Sequence, residues 1–442
     1  MNSRVVAVVG GGISGCECSF LIASWGFRVD LYEMKPKRFS EAHKSEKLGE
    51  LVCSNSLKSK NPNSPQGLLK EEMKRFGSLI IEAAENTAIP AGDSLSVDRD
   101  LFSEYITNRL LSMENVKVIR EEVLSFEDLF DKYDAIVIAT GPLTAPDSVA
   151  SLKRMIGNSD LLYFYDAISP IVTFESIDMS KAFFGSRYKK GGDDYINCPL
   201  TEKEYKDLYD AIVNAELIES HINEDLKFFE GCLPIEEIAR RGYKSLLFGP
   251  FKPVGLGFSK NDMAYGVVQL RAENRARTLY SIVSFQTRMK YGYQEKVLRM
   301  IPALKNCEIV RYGQMHRNIY VDSPTVLSKD LTLKNNSKFF LTGTLTGVEG
   351  YTEAAASGII TAISVVSYLK GREFIPPPDM TAMGLLYRYV IGEISMGREF
   401  KPTNINKGLF LHNGAKRYSE KMAYRAVREI DRYSRAFYDG KS

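Results

Sequence analysis

VVAVVGGGISG, residues 5–15, sets a β-branched run directly against a glycine cluster; the apolar stretch 16–25 and then FRVDLY at 27–32 follow. Strand, glycine turn, helix and second strand are the opening of a βαβ unit. Gly10, Gly11, Gly12, Ile13, Ser14 and Gly15 fit the dinucleotide fingerprint. Gly10 permits the tight turn, Gly12 lets the backbone approach a pyrophosphate, and Gly15 allows the helix to lie close on the strand, with the helix N-terminus facing the phosphates. Glu33 closes the second strand 18 residues beyond Gly15, where a carboxylate can accept bonds from a ribose hydroxyl pair.

Two further stretches extend this reading. YDAIVIAT (133–140) is a buried strand stopped by Gly141-Pro142, and KFFLT (338–342) runs into a glycine-rich turn, with a helix from about Glu353. Ala139-Thr140-Gly141 and LTGTLTGVEGYTEAAASG (341–358), with Gly343 and Gly350, supply the second and third contacts expected of a flavoprotein. The helix starting near Gly350 can aim its N-terminus at the flavin ring or the pyrophosphate. Only one fingerprint occurs, so the reading is a bound FAD, with NAD(P)H docking transiently. The fold class expected is α/β: a Rossmann-like, glutathione-reductase-like FAD-binding domain interrupted by a smaller α+β domain. The expected limits are 1–145 for the first part, 146–325 for the insert and 326–442 for the second part. In the insert, helical stretches (Glu202–Ala215, Ile235–Arg240) alternate with strand-like runs (Ala264–Leu270, Thr278–Phe285). Residues 414–438 form a charged, aromatic-rich helix candidate.

Forty-four per cent apolar and 26 per cent charged residues describe an ordinary globular chain of 442 residues. A net charge of +3 does not by itself argue for a nucleic-acid partner. Six scattered cysteines read as reduced cytosolic thiols, and no run of 18 apolar residues suggests a membrane span. The expectation is a cytoplasmic protein without a membrane or a stable protein partner. Arg4 and the apolar run after it imitate a signal peptide, but Glu17 and the glycines break the pattern.

Cys16 and Cys18 read as core thiols and Cys307 as structural; Cys198, in NCPL, is a weak candidate. Cys53 lies in a polar loop after the second strand, and Cys232 (FFEGCLP, 228–234) sits beside a helix start near Arg240 and Arg241, which biases a thiol toward thiolate. His43, His221 and His412 lack supporting patterns, and no cluster has metal-ligand spacing. His316 stands in RYGQMHRN (311–318), a set of cations and planar groups suited to a flat anionic ligand or to the rim of a strand pair.

VVGGGISG, LYEMKP, ELVCSNSLKS, SVDRDLF, ATGPLT, YFYDA, NCPL, FFEGCLPIE, LFGPFKPVGL, VVQLR, MHRN and TGVEGY together resemble, in order and across the whole chain, the folate- and FAD-dependent tRNA (uracil-5-)-methyltransferases. The flavin segments alone are shared with a longer flavoprotein that modifies wobble uridine. The resemblance implies transfer of a one-carbon unit from 5,10-methylenetetrahydrofolate to C5 of a T-loop uridine of tRNA, with reduced FAD as reductant and NAD(P)H reloading the flavin. Some members act on ribosomal RNA. It also implies Cys232 as the nucleophile at uracil C6, Cys53 as the second catalytic thiol, and His316 stacked on the folate pterin. Lys252 and Arg271 are candidates for anionic folate or RNA contacts. Ser284 stands where the family usually has glycine, and Thr344 where it commonly has glutamine.

An RNA substrate needs a cationic surface. Residues 271–299 hold seven Lys/Arg against two Glu, and 416–435 hold seven against three acids. A small-molecule FAD oxidoreductase and an RNA-binding scaffold that retains FAD structurally are the competing readings; the two motif-borne thiols count against both.

Overall fold

The computed structural model describes residues 4–157, 161–218, 228, 232–256, 264–397, 399–412 and 418–440. Strand β1 (Val5–Val9), helix α1 (Ile13–Ser24) and strand β2 (Arg28–Tyr32) form the expected unit, β1 pairing in parallel with β2 at Val6↔Val29. Their sheet has six strands in the order 332–333, 336–341, 135–138, β1, β2, 116–119. All its pairings are parallel except that of Thr332–Leu333 with Asn336–Leu341. The near-continuous Val, Ile and Leu of these strands follow from burial on both faces. On one face α1 lies against the helix Tyr351–Leu369. Gly358 makes that approach possible, because a Cβ there would sit 2.6 Å from the Ser14 carbonyl oxygen.

Tyr351–Leu369 is long and apolar enough to pass a composition test for a membrane span, although Glu353, Thr352 and its serines interrupt any pure apolar run. It is instead a core helix, with 89% of its apolar window buried inside the protein.

A second sheet of six antiparallel strands, in the order 183–184, 195–200, 266–272, 279–282, 171–173, 309–311, has a separate apolar core. The helix Glu202–Val213 packs on it, its start fixed by a capping box between Thr201 and Glu204. The chain passes from the parallel sheet into this unit through Leu162–Ala167 and returns through Met315–Tyr320. These two strands pair antiparallel, with His316 opposite Asp166. Outgoing and returning chain are thus bound together at the junction, which is where the cavity lies.

Several boundaries shift by a few residues. Strand 133–140 shortens to Ala135–Ile138, and the C-terminal helix runs Glu420–Asp439. The strand-like run 264–270 becomes Gly266–Ala272, in register from Tyr195↔Arg271 to Leu200↔Gly266.

Candidate active site

A cavity of about 500 Å³, a size suited to a small-molecule or cofactor site, opens between the parallel sheet and the second unit. Gly10, Gly11, Gly12, Ile13, Ser14, Glu33 and Gly141 line it on the fingerprint side, Cys53, Asp166, Cys232, Arg271 and Glu349 line it on the thiol side, and Gly350 lies next to Glu349.

The glycines divide by what they face. Gly10 has φ +114°, and a Cβ there would lie 2.4 Å from the Ala139 carbonyl; at Gly15 a Cβ would lie 1.9 Å from the Gly10 carbonyl. These two are needed by the fold. A Cβ at Gly12 meets nothing within 4 Å, so this residue leaves a hollow in the cavity wall. Gly12 also caps α1 without a side-chain bond, which leaves first-turn N–H groups turned to the cavity. Gly350, at φ +110°, starts the 351–369 helix in the same uncapped way. The uncapped start of α1 and the hollow at Gly12 fit the pyrophosphate of a dinucleotide such as FAD. Glu33 is 6% exposed and accepts from the backbone N–H of Gly11 (3.2 Å) and of Lys35 (3.0 Å), which holds its carboxylate at the cavity edge. Gly343 (φ +73°) lies behind the wall, where a Cβ would sit 2.3 Å from Ser14 Oγ.

The other side is built by side chains from distant segments. The carbonyls of Leu51, Val52 and Cys53 are each held by an arginine: Arg99 donates to Leu51 (2.6 Å) and Cys53 (2.9 Å), Arg311 to Val52 (2.7 Å). The Cys53 N–H donates to the Tyr351 hydroxyl at 2.7 Å, tying the loop to the long helix. Arg99 is charge-balanced by Glu273, and Arg271 donates to Asn55 Oδ1 at 2.9 Å. Cys232 is carried by the start of the helix Ile235–Arg240, whose buried Glu236 accepts from Thr287 Oγ1 (3.0 Å) and the Arg288 N–H (2.8 Å).

These anchors bring Cys53 Sγ, Cys232 Sγ and an Asp166 carboxylate oxygen within 4.8 Å of one another. No sequence spacing announces this three-ligand set; it exists only in the tertiary structure. Both thiols are free. The expected thiolate bias of Cys232 is corrected. Its pKa is pushed well up by its hydrogen bond with Cys53, by burial, and by the nearby Cys53, Glu349 and Asp166. Arg240 does not act on it as supposed, being paired with Glu237 at 2.7 Å. Cys16, Cys18, Cys198 and Cys307 are buried, and burial raises each of their pKa values.

Glu349, Asp166, Lys58 and Tyr351 carry no spacing signal of their own in the sequence. Burial raises the Glu349 pKa to about 7, with Lys58 opposing and Glu353 and Asp166 adding to the rise. Its Oε2 is buried without a hydrogen bond, 3.7 Å from Lys58 Nζ. Burial likewise raises Asp166, against the pull of His316 and a hydrogen bond from Asn318. Burial opposes the charge of Lys58, but Glu353, Glu349 and Cys232 outweigh it, so its pKa is raised. Such perturbed groups around two thiols mark a candidate functional site.

The remaining candidates separate. His316 is 4% exposed, with Nδ1 3.1 Å from Glu41 Oε1 and Nε2 buried without a partner. It sits behind the cavity wall; from 311–318 only Asn318 lines the cavity. Lys252 lies outside the cavity, its Nζ 5.4 Å from the Tyr188 ring centroid. His43, expected to lack a role, does line the cavity; it bonds Ser40 at 2.6 Å, and burial takes its pKa down to about 4. His412 is exposed, and His221 lies outside the described residues. Ser284 lines the cavity at φ +55°, in the left-handed region that favours glycine.

A family model described as Glucose inhibited division protein A matches residues 5–373. A Caldicellulosiruptor bescii protein called methylenetetrahydrofolate--tRNA-(uracil-5-)-methyltransferase TrmFO is 48% identical, covering 91% of this chain and 91% of its own length. The Aquifex aeolicus protein of the same name is 46% identical, covering 98% and 97%. The chain belongs to the TrmFO family. A solved structure of Aquifex aeolicus GidA has a TM-score of 0.71 at 16% identity, covering 99% of this chain and 76% of that one. That likeness concerns the fold, and it carries the TrmFO chain's parallel sheet and inserted unit alike.

Proposed function

We propose that this chain transfers a one-carbon unit from 5,10-methylenetetrahydrofolate to C5 of a uridine in tRNA, as the names of its TrmFO relatives describe for them. The observation that supports this most is the meeting of Cys53 and Cys232 in the cavity that the fingerprint also lines. Bound FAD, reduced by NAD(P)H, supplies the electrons that convert the transferred methylene to methyl.

The protein's own part is nucleophilic activation. C5 of uracil becomes a carbon nucleophile once a thiolate adds at C6. Cys232 is the attacking thiol and Cys53 its partner. Because Cys232 keeps its proton in the resting site, attack needs an acceptor. Glu349, titrating at about 7 in the same cavity, is matched to take that proton, in line with the preference for a base whose pKa lies near the working pH. After C5 bonds the methylene carbon, loss of the C5 proton to a base lets tetrahydrofolate leave as an exocyclic methylene forms. Two-electron reduction of that methylene to methyl expels the Cys232 thiolate and restores the C5–C6 double bond. Glu33 holds the ribose, and Gly12, Gly350 and Gly141 the flavin dinucleotide. Arg271 meets the anionic substrate.

The target uridine reaches Cys232 only out of its stack. We read residues 146–325 as the unit facing RNA and folate, with the C-terminal helix as an outer RNA contact. Lys421, Arg425, Arg428, Arg432 and Arg435 are exposed along one side of that helix, opposite buried Ala423, Ala426, Ile430 and Ser434. The 271–299 cluster is mixed: Arg271 is held at the cavity, Arg288, Lys290 and Arg299 pair with Glu237, Glu216 and Glu295, and Arg275, Arg277 and Lys296 are exposed.

Cys232→Ala tests the assignment. The variant should keep FAD, lose covalent trapping on RNA carrying 5-fluorouridine, and lose methylation by at least about 10⁴-fold, as removal of a nucleophile does elsewhere. Normal trapping by the variant refutes the assignment. Mapping 5-methyluridine in tRNA and in ribosomal RNA, with and without the protein, decides the RNA class.

A further inference from the structure

Outside the cavity, the second unit carries a strained and aromatic surface that the chemistry above does not use. Tyr188 (φ 57°, ψ 25°) and Lys189 (φ 54°) are consecutive non-glycine residues in the left-handed region. Such residues are uncommon singly, and for a bulky side chain the conformation persists only when the surroundings impose it. Here they do. The Tyr188 N–H donates to the Gly255 carbonyl at 2.6 Å, and Arg187 donates to the carbonyls of Lys252 and, at 2.9 Å, Val254. A Cβ on Gly255 would come 3.0 Å from the Tyr188 ring, so glycine is what lets the two loops close on each other.

The outcome of this construction is an aromatic ring held rigidly toward solvent. Tyr188 is 53% exposed, with the Lys252 ammonium over its ring, and Phe248, four residues before Lys252, is 82% exposed. The platform is wired to the cavity: Arg187 Nε donates to Gln269 Oε1 at 2.8 Å, and Gln269 shares a strand face with Arg271, which lines the cavity. Adjacent cations are Lys189, exposed, and Lys190, paired with Asp93 at 2.5 Å. Exposed aromatic rings interleaved with cations suit the stacked bases and phosphates of unpaired RNA, a combination a protein or lipid partner does not require.

We propose that Tyr188, Lys252 and Phe248 form a stacking platform for an unpaired nucleotide of the RNA substrate next to the target uridine. This rests on the RNA reading given above. The fixed ring stacks on a base, the ammonium meets a phosphate, and the flipped uridine is thereby aimed into the cavity.

The test is equilibrium binding of the FAD-loaded protein to a tRNA stem-loop across a salt series. The stem-loop carries 2-aminopurine at loop positions flanking the target uridine. Tyr188→Ala and Phe248→Ala should each weaken binding about tenfold without changing the salt slope. Tyr188→Phe should bind as wild type, and Lys252→Ala should reduce the salt slope by about 1. Wild type should quench at least one 2-aminopurine position, and Tyr188→Ala should not. Bound FAD and unchanged far-ultraviolet dichroism certify the folding of each variant. If wild type binds and Tyr188→Ala matches it within twofold with the quench intact, the platform is wrong and the RNA reading stands. If wild type neither binds nor methylates the RNA, the RNA reading falls and the platform with it.

Discussion

The two ends of the cavity are built in opposite ways. The dinucleotide end is made of backbone: Gly10, Gly12, Gly15 and Gly350 matter for the side chains they lack, and the helix starts offer N–H groups that any residue carries. The thiol end is made of side chains, with Cys53, Asp166, Cys232 and Glu349 brought from four separate segments and the Cys53 loop held by half-buried arginines. A backbone site is damaged by adding atoms, a side-chain site by removing them or by changing their charge.

The sharpest break of that contrast is a pair of alanines three residues apart. Gly15→Ala places a Cβ 1.9 Å from the Gly10 carbonyl and should cost about 3 kcal/mol or more of stability by overpacking, read by denaturant unfolding. Gly12→Ala, whose Cβ meets no protein atom, should unfold like wild type in the FAD-free form. Its FAD affinity should fall on the order of tenfold to a hundredfold, since a methyl group occupies the hollow left for the pyrophosphate. Equal stability losses in the two variants would erase the distinction between fold-required and ligand-required glycines.

At the thiol end the informative change is in charge. The folded-state pKa of Glu349, about 7, lies above its ordinary value of 4.5. Between those values the folded protein holds a proton that the unfolded chain has released. Glu349 therefore contributes a fall in stability as pH rises from 4.5 through 7, with no further change above that. Glu349→Gln mimics the protonated form and should remove this component, flattening the stability profile over that window by about 1–3 kcal/mol. Methylation should fall with it, and the acid limb of the pH–rate profile should disappear. An unchanged profile in both measurements would rule Glu349 out as the proton acceptor.

The smallest effect belongs to the outer helix. Arg428→Ala leaves both ends of the cavity intact and should weaken RNA binding a few-fold while lowering the salt slope by about 1. A loss of FAD in this variant would contradict the separation of surface from site.

How much of this was legible follows from the same contrast. The βαβ opening, its fingerprint and Glu33 could be read directly, because strand, tight turn and helix are contiguous and each glycine answers a local steric demand. Cys53 and Cys232 could be picked out from their motifs, yet their charge state could not. The sequence neighbours Arg240 and Arg241 suggested a thiolate, whereas the spatial neighbours Cys53, Glu349 and Asp166 push the pKa up. Asp166 reads in sequence as one acid in a strand, and only its pairing with the 315–320 strand turns it toward the thiols. In the basic run 271–299, charge counted along the chain does not reveal that Arg288, Lys290 and Arg299 are paired while Arg275, Arg277 and Lys296 stay exposed.

By itself, then, the sequence determined the parallel sheet and the dinucleotide cradle, since these depend on periodicity, on missing side chains and on short-range sterics, while it singled out the two thiols only through the resemblance of their motifs to a family. Tertiary structure alone decided that the thiols meet, that Glu349 titrates near neutrality, and that Tyr188 is held open beside Lys252. Each of these depends on burial and on charges separated by tens to hundreds of residues, and through-space electrostatics and desolvation leave no pattern along a chain.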